Sequence, residues 1–486
     1  MLRPLLRVCV IVLSLSGGHC AADRPNFVFL LVDDLGWADV GVNGSTFYET
    51  PHIDALARSG MQFTSGYAAC HVCSPTRAAL MTGKHPVRVD ITNFIAGMRP
   101  GKYLSVPFKH ELALEEVTIA EALKEAGYAT CFAGKWHLGN EGFFPEDQGF
   151  DFNFGGHHRG QPPAGYFSPY KNPRLKDGPK GENLTDRLGE ESVRFIKNHK
   201  DGPFFLYLSF YTVHNPQQPK PELLKKYQAK AAALPESDRA RFLPEGKWHT
   251  ARQVQDHAAY ASMVQVLDEN VGRVLKALDE FGLNDNTVVL FTSDNGGLST
   301  SEGQPTSNLP LRGGKGWHYE GGVREATFVR WPGVTEAGDK TDVPVISTDF
   351  YPTMLEMAGL ESRPQQHVDG VSLVPLLKGK SLAPRALYWH YPHYSNQGGN
   401  PSGAIRAGDY KLIEWFEDRS VELYNVVEDI GERTDLAAGM PQKTAELRDR
   451  LHLWQKQTGA KFPTELNPNY DPTKRRARRR PVKKKK

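Results

Sequence analysis

Residues 26–34 read Asn-Phe-Val-Phe-Leu-Leu-Val-Asp-Asp, an unbroken apolar run that ends in two carboxylates. An apolar run without polar alternation predicts a strand that is buried on both faces, as in a parallel sheet. In such sheets, ligands bind beyond the carboxyl ends of the strands. The stretch therefore predicts an α/β fold with Asp33 and Asp34 at its functional edge.

The same pattern recurs at Thr287–Ser293, which is followed by Asp294 and Asn295. Further buried strands are predicted at 128–133, 203–210 and 326–331, and helices at 50–59, 117–126 and 250–281. Strands that alternate with helices predict a large, mostly parallel sheet sandwiched by helices.

The pattern changes after residue 380. Short strand-like runs occupy 387–391, 403–406, 409–414 and 421–425, and a helical run covers about 441–457. We expect a small antiparallel sheet with one helix. The predicted division is a signal peptide at 1–22, a catalytic domain at 23–380, a C-terminal α+β subdomain at 381–470 and a disordered basic tail at 471–486.

The net charge of +3 over 486 residues hides two unlike parts. Residues 474–486 hold ten Lys or Arg and no acid, and Arg3 and Arg7 belong to the predicted leader. Without them, 47 basic residues face 56 acidic ones, a net charge of about −9. An acidic main domain argues against specific nucleic-acid binding, and the composition excludes a fibrous or disordered protein.

The first 22 residues have the order of a secretory signal. A charged start at Arg3 and Arg7 precedes an apolar stretch at 8–15 and small residues at 20–22. The apolar stretch is too short for a permanent membrane span, so no transmembrane segment is predicted. We expect an exported protein, periplasmic or secreted, from a bacterial host; a lipoprotein signal at Cys20 fits poorly after His19.

Cys73-Ser-Pro-Thr-Arg77 predicts the start of a helix, because Pro75 suits the first helical turn. A helix N-terminus next to an arginine binds oxyanions such as sulfate or phosphate. Two other interpretations stay open at this point. A buried cysteine is often only packed, and Cys70 with Cys73 also matches a redox C-x-x-C motif.

Asp33, Asp34, Asp294 and Asn295 supply hard oxygen ligands, which suit Ca²⁺ or Mg²⁺ better than Zn²⁺. Caps or turns are the alternative explanation for such pairs.

Four basic residues lie in glycine-rich or proline-containing loops: Lys135, His137, His214 and Lys315. Lysines neutralise a bound anion, and a histidine can transfer a proton. Each could instead be an ordinary surface or loop residue.

The run C-S-P-T-R-A-A-L-M-T-G at 73–83 resembles the modification motif of the sulfatases, C-x-P-x-R followed by L-x-T-G. L-V-D-D, G-K-W-H-L-G and S-D-N-G at 31–34, 134–139 and 293–296 are also similar to sulfatase segments and come in the family's order. The resemblance runs from about Arg24 to the basic tail. It is greatest to enzymes of the arylsulfatase A and N-acetylgalactosamine-6-sulfatase type, in the alkaline phosphatase superfamily.

The resemblance implies an alkaline phosphatase-like fold and a formylglycine, which a formylglycine-generating enzyme makes from Cys73. It also implies one Ca²⁺ held by Asp33, Asp34, Asp294 and Asn295 with the oxygen at position 73. Cys70 and Cys131 are then left over, paired or free.

The implied reaction is hydrolysis of a sulfate ester. The hydrated formylglycine attacks sulfur, and Arg77 holds that hydrate. The implied substrate-binding residues are Lys135 and Lys315, and His318 is predicted as a third. His214 assists the leaving oxygen, and His137 deprotonates the second hydroxyl so that sulfate leaves and the aldehyde returns.

The expected substrate is a sulfated carbohydrate, with aryl sulfates as surrogates. We expect loop residues to contact the sugar: 157–159, Tyr166, 390–394, Asn396 and Gln397. Two alternatives remain, a phosphate or phosphonate monoester hydrolase on the same fold and an inactive polyanion-binding protein driven by the tail.

Overall fold

The protein is described from a computed structural model, which covers residues 24–236 and 240–473. The predicted signal peptide and the basic run at 474–486 lie outside these residues. The helices are α1 (Pro51–Arg58), α2 (Cys73–Thr82), α3 (Ile119–Glu125), α4 (Leu184–His199), α5 (Pro221–Ala232), α6 (Ala258–Glu280), α7 (Glu320–Val323), α8 (Phe350–Met357), α9 (Val374–Leu377) and α10 (Pro441–Thr458). The strands are β1 (Asn26–Val32), β2 (Met61–Tyr67), β3 (Ala129–Gly134), β4 (Phe152–Phe154), β5 (Phe204–Ser209), β6 (Phe242–Glu245), β7 (His249–Arg252), β8 (Thr287–Ser293), β9 (Arg324–Arg330), β10 (Lys340–Thr341), β11 (Val345–Ile346), β12 (Ala386–Tyr391), β13 (Ser402–Ala407), β14 (Tyr410–Trp415) and β15 (Val421–Asn425).

The main sheet has the strand order β10-β2-β9-β8-β1-β5-β3-β4, and β11 also pairs with β2. Strand β1 lies in its interior and runs parallel to both neighbours, β5 and β8. Among the strands that the structure describes in this sheet, only β9 is antiparallel to its neighbours, β2 and β8. The prediction of a large, mostly parallel sheet is confirmed.

Helices cover both faces of this sheet. The side chains of β1 alternate between the two faces, so each face is apolar and packs against its own set of helices. Val28, Leu30 and Val32 pack on one face with residues of α1, α4 and α6. Phe27, Phe29 and Leu31 pack on the other face with residues of α2, α3 and α8.

The small sheet is antiparallel, in the order β12-β13-β14-β15, and α10 packs on one face through Leu447 and Leu451. Its other face joins the main sheet: Trp389 and Ile413 share a core with Tyr67 of β2. The predicted domain boundary after residue 380 falls between the end of α9 and the start of β12. The division itself stays a prediction.

One helix is shorter in the structure than the sequence pattern predicted. The helix predicted at 250–281 begins only at Ala258, where the side chain of His257 accepts a hydrogen bond from the amide of Tyr260. Residues 249–252 form β7 instead, paired with β6 in a two-stranded ribbon. Within the described part of the chain, no helix combines the length and the apolar character needed to cross a membrane.

Candidate active site

The two acidic pairs meet where β1 and β8 end. The register pairs Val32 with Ser293, so Asp33 and Asp34 lie beside Asp294 and Asn295. The amide of Asp34 donates to Oδ1 of Asp294 at 3.3 Å, and Nδ2 of Asn295 donates to Oδ1 of Asp34 at 2.8 Å. All four side chains are buried. The four residues predicted to bind a metal therefore form one cluster.

Cys73 is the first residue of α2, as the proline motif predicted. Its Sγ and one carboxylate oxygen each of Asp33 and Asp294 lie within 4.8 Å of one another. Burial raises the pKa of the Cys73 thiol despite the nearby lysines. An unmodified Cys73 would thus be a protonated thiol, a poor nucleophile near neutral pH.

No disulfide joins the three cysteines that the structure describes: Cys70, Cys73 and Cys131 are all buried and free. The hydroxyl of Thr76 makes two hydrogen bonds to the backbone of Cys70. It accepts one from the Cys70 amide at 3.1 Å and donates one to the Cys70 carbonyl at 3.0 Å. Burial also raises the pKa of the Cys70 thiol to about 12. These features disfavour the redox interpretation of the C-x-x-C spacing.

Arg77 lies one turn along α2 and holds the acidic cluster together. Its Nε donates to Oδ2 of Asp294 at 2.8 Å, and its Nη1 donates to the carbonyl of Lys135 at 2.7 Å. Nη1 also donates to Oγ of Ser209, at the end of β5, at 2.6 Å. Burial opposes the charge on Arg77, but Asp294 and Asp33 together with the other acidic groups nearby outweigh it, and the pKa of Arg77 lies above its usual value.

Each of the two lysines is paired with one carboxylate. Nζ of Lys135 lies 2.7 Å from Oδ2 of Asp33, and Nζ of Lys315 lies 2.5 Å from Oδ1 of Asp34. Burial raises the pKa of Asp33 although Lys135 opposes it. For Asp34 burial also favours the protonated form, yet Lys315, His214 and Lys135 together outweigh it, and the pKa of Asp34 falls below its usual value.

Gly134 allows Lys135 to turn into the site at the end of β3. Its φ is +112°, and a Cβ there would lie 1.8 Å from the carbonyl oxygen of Ser209. A side chain at position 134 would push β3 and β5 apart and displace Lys135.

The donor set fits a hard divalent cation. Asp33 Oδ1, Asp34 Oδ2 and Asn295 Oδ1 are buried, and none has a hydrogen-bond partner among the described residues. Unsatisfied buried oxygens are costly, and an oxygen-seeking cation would satisfy all three at once. The cluster of Asp33, Asp294 and Cys73 brings position 73 to the same place. The chemistry matches the predicted metal ligands.

The two predicted catalytic histidines lie at the site and are held in place by backbone carbonyls. Nδ1 of His214 is 2.8 Å from the carbonyl of Asn215, and its Nε2 is 3.8 Å from Oδ2 of Asp34. Nε2 of His137 is 3.3 Å from the carbonyl of Ile95. Burial lowers the pKa of both rings, for His214 to about 4, so both are neutral near pH 7.

A cavity of about 520 Å³ opens onto this cluster. Four predicted site residues line it: Cys73, His137, His214 and Lys315. The remaining lining residues are Phe94, Ile95, Ala96, His110, Asn140, His158, Arg159, Gly160, Gln161, Glu302, Asn396 and Gln397. Among the polar ones, sequence analysis missed His110, Asn140, Gln161 and Glu302. Asn140 directly follows the G-K-W-H-L-G segment, and the other three lie in loops without a recognisable motif.

Two predicted substrate-binding residues lie outside that lining. The side chain of Lys135 is fully buried, where its Nζ forms an ion pair with Asp33. His318 is buried as well: its Nδ1 lies 2.8 Å from Oγ of Ser402, and its ring lies 4.5 Å from that of His71. Direct contact of Lys135 or His318 with substrate stays a prediction.

The loop residues expected to contact a sugar divide into two groups. His158, Arg159, Asn396 and Gln397 line the cavity. Tyr166 does not, because its buried hydroxyl donates to the carbonyls of Tyr211 and His214. Tyr166 thereby holds the loop that carries His214. His157 and the residues at 390–394 are buried or lie outside the cavity lining.

Comparison with known proteins identifies the family. The model of the family described as "Sulfatase" matches residues 25–360. The chain belongs to the sulfatase family. A second model, "N-sulphoglucosamine sulphohydrolase, C-terminal", matches residues 314–458 and so includes the small sheet and α10.

The sulfatase is similar over most of its length to several relatives. It is 34% identical to a "Sulfatase" of Formosa agariphila, over 89% of each chain. It is 33% identical to the N-acetylgalactosamine-6-sulfatase of Mus musculus, over 83% of this chain and 74% of the relative. The crystal structure of Ps i-CgsB superimposes with a TM-score of 0.73 at 30% identity, over 91% of this chain and 95% of that one.

These findings confirm the predicted family, the alkaline phosphatase-like fold and the enzyme class. The protein is a sulfuric ester hydrolase. Members of this family typically use a formylglycine and a metal ion, and the buried acidic cluster at Cys73 is the place where both would act.

Proposed function

We propose that this sulfatase removes sulfate from a sulfated carbohydrate, using a formylglycine made from Cys73 and one Ca²⁺. The observation that carries the proposal is the position of Cys73. It begins α2, lines the cavity and lies within 4.8 Å of the carboxylates of Asp33 and Asp294.

Asp33, Asp34, Asp294 and Asn295 are the residues that would hold the cation. Bound there, Ca²⁺ would supply Lewis-acid polarisation of the sulfate and of the oxygen at position 73. Arg77 and Lys135 keep Asp294 and Asp33 in place through contacts of 2.8 and 2.7 Å.

The chain's own groups would then carry the reaction. A hydrated formylglycine at position 73 would supply a hydroxyl that forms the new bond to sulfur as the S–O bond to the sugar breaks, and the proton which that hydroxyl gives up would pass to the leaving sugar oxygen. Lys315, which lines the cavity, binds a sulfate oxygen, and His214 faces the leaving oxygen. His137, neutral because of its burial, accepts the proton of the second hydroxyl. The remaining C–O bond to sulfate then breaks, which releases sulfate and restores the aldehyde.

A carbohydrate substrate is supported by the cavity and by the relatives. Arg159 and Lys315 give the cavity two cations, His110 and His158 add ring nitrogens, and Asn396 and Gln397 add amides that can bond sugar hydroxyls. A relative is named for N-acetylgalactosamine-6-sulfate, and Ps i-CgsB was crystallised with k-i-k-neocarrahexaose. Export through the signal at 1–22 would bring the enzyme to such polymers.

The decisive experiment is mass spectrometry of the protein made in its native host. Trypsin cleavage after Arg58 and Arg77 releases the peptide 59–77, which contains both Cys70 and Cys73. Conversion of one thiol to the aldehyde lowers the peptide mass by about 18 Da, on an oxidation route outside the usual cysteine ladder. Fragmentation must place the loss at position 73, and Cys73→Ala must abolish both the loss and activity.

Active protein with an intact thiol at position 73 would contradict the proposal. A paired assay with one aryl group as its sulfate and as its phosphate tests the reaction class. We expect a higher kcat/KM for the sulfate, and preference for the phosphate would instead support the monoester phosphatase alternative. Release of sulfate from carrageenan and glycosaminoglycan oligosaccharides then tests the substrate class.

A further inference from the structure

A second cavity, of about 340 Å³, lies beside the catalytic one. It is formed by the turn between β6 and β7, by residues 398–400, by the end of β14 and by Tyr470. The two cavities share one loop: Gln397 lines the catalytic cavity, and Gly398 and Asn400 line the second one.

Aromatic rings dominate the walls of the second cavity. Trp248 and Tyr470 are 37% and 41% exposed, high values for large aromatic side chains, and Trp415 is partly exposed. Exposed indole and phenol rings offer flat, electron-rich faces to which the C–H face of a sugar ring binds. Their placement on three separate segments of the chain makes the cavity a shaped aromatic site.

Two carboxylates stand among these rings in defined orientations. The carboxylate of Glu417 accepts hydrogen bonds from the hydroxyl of Tyr394 at 2.6 Å and from the side-chain amide of Asn400 at 3.2 Å. Oε1 of Glu422 accepts a hydrogen bond from Nε1 of Trp415 at 3.0 Å, and its Oε2 accepts from the hydroxyls of Tyr319 and Tyr424, each at 2.9 Å. Each carboxylate oxygen has more than one lone pair, so both groups can still accept hydroxyl protons from a ligand.

The charge of the lining separates this site from the catalytic one. The lining of the second cavity carries three carboxylates, Glu417, Asp418 and Glu422, and two cations, Lys247 and Arg312, of which Arg312 lies over the ring of Tyr319 at 3.8 Å. A third cation, Lys102, lies close enough to act on Asp418. The lining of the catalytic cavity instead carries two cations, Arg159 and Lys315, and one carboxylate, Glu302. A sulfated sugar suits the catalytic cavity, whereas the second cavity has no excess of cations to bind a sulfate group and suits an uncharged sugar.

We propose that the second cavity is an accessory carbohydrate site that binds an uncharged, unsulfated sugar residue. Gln397 and Asn400 are three residues apart, so at most about 11 Å of backbone separates the two linings. That distance matches a few sugar units. If the proposed function holds, the accessory site binds an unsulfated part of the same glycan whose sulfated residue enters the catalytic cavity.

The test measures binding without catalysis. The full-length protein is run by affinity electrophoresis through gels that contain agarose, dextran or galactomannan, each uncharged, with 0.5 M NaCl during pre-equilibration to screen the basic tail. We expect retardation in at least one gel. Trp248→Ala should weaken it at least about fivefold, because the ring face is lost, while Trp248→Phe should retain most of it.

Phe152→Ala is the matched control, because Phe152 is 38% exposed but lies on β4 at the far edge of the main sheet. It should not change retardation. Tyr470→Ala provides a second aromatic deletion in case Trp248→Ala fails to fold. No retardation in any gel, or equal retardation of the wild type, Trp248→Ala and Tyr470→Ala, would overturn the accessory site.

A second readout connects the site to turnover. With a small aryl sulfate, Trp248→Ala should keep kcat and KM within twofold of the wild type. The second substrate is the sulfated form of the glycan that retards the protein. For this substrate, Trp248→Ala should raise KM and leave kcat unchanged. Loss of binding with no change in either KM would show that the site holds sugar but does not serve the substrate. Inactivity of the wild type on every sulfate ester would refute the proposed function alone.

Discussion

Replacing Lys411 by methionine removes one cation, the one shared by two carboxylates, from a buried network that joins the two sheets. Nζ of Lys411, on β14, lies 3.0 Å from Glu320 and 3.1 Å from Glu432, and all three side chains are fully buried. Glu320 also accepts the hydroxyl of Tyr67, on β2, at 2.7 Å. Glu320 begins α7, five residues after Lys315, so the network supports the segment that brings Lys315 to the active site.

The expected cost follows from burial. Removal of one partner from a buried ion pair leaves uncompensated charge and costs about 3–5 kcal/mol, whereas an exposed pair contributes about 0–1 kcal/mol. Lys443→Met is the matched control, because Lys443 lies 2.7 Å from Glu446 on the exposed side of α10. We expect Lys411→Met to lower the free energy of unfolding by at least about 3 kcal/mol more than Lys443→Met.

The pH dependence gives the prediction a sign. Burial raises the pKa of Glu432 to about 7, above its usual 4.5. The folded state therefore holds a proton that the unfolded state releases, so the stability from this group is present at acidic pH and is lost as the pH rises through 7. Without Lys411 the pKa of Glu432 rises further. Lys411→Met should then cost less at pH 5.5 than at pH 8.

Urea unfolding followed by tryptophan fluorescence at pH 5.5 and pH 8 measures both effects. The double variant Lys411→Met with Glu432→Gln should recover part of the loss, since one uncompensated carboxylate is gone. It also provides a measurable protein if the single variant does not fold. Equal losses for Lys411→Met and Lys443→Met at pH 8 would refute the argument, as would a loss that does not depend on pH.

Three further predictions concern the active site and the tail. Chelation with EDTA should abolish aryl sulfate hydrolysis and lower Tm by a few degrees, and added Ca²⁺ should restore both; full activity after metal is shown to be absent would contradict the assigned ligands. Lys315→Met should lower kcat/KM about 10²- to 10³-fold, while Lys84→Met, which removes the part-exposed pair with Glu116, should stay within twofold. A smaller effect at Lys315 than at Lys84 would exclude Lys315 from substrate binding. Deletion of 474–486 should leave kcat/KM on small aryl sulfates within twofold and reduce the salt needed for elution from a sulfated resin; loss of hydrolysis would assign the tail a part in the chemistry.

Short motifs were enough to predict much of the site. Apolar runs that end in Asp33-Asp34 and Asp294-Asn295 predicted two neighbouring strands, because strand burial and the direction of a parallel sheet are encoded locally. The proline two residues after Cys73 likewise predicted the start of α2. Helix boundaries were less certain, since the start of α6 depends on the cap at His257 rather than on apolar periodicity.

The amino-acid sequence by itself determined the fold class, the family and the residues that gather around Cys73, because each rests on a local pattern or a motif. The tertiary structure alone decided which of these residues reach the cavity. It places Lys135 on Asp33 and His318 beneath the small sheet, and it adds His110 and Glu302 from distant loops. It also forms the aromatic second cavity from segments more than 200 residues apart. Contacts of that kind depend on how strands and loops pack in three dimensions, which no short stretch of sequence specifies.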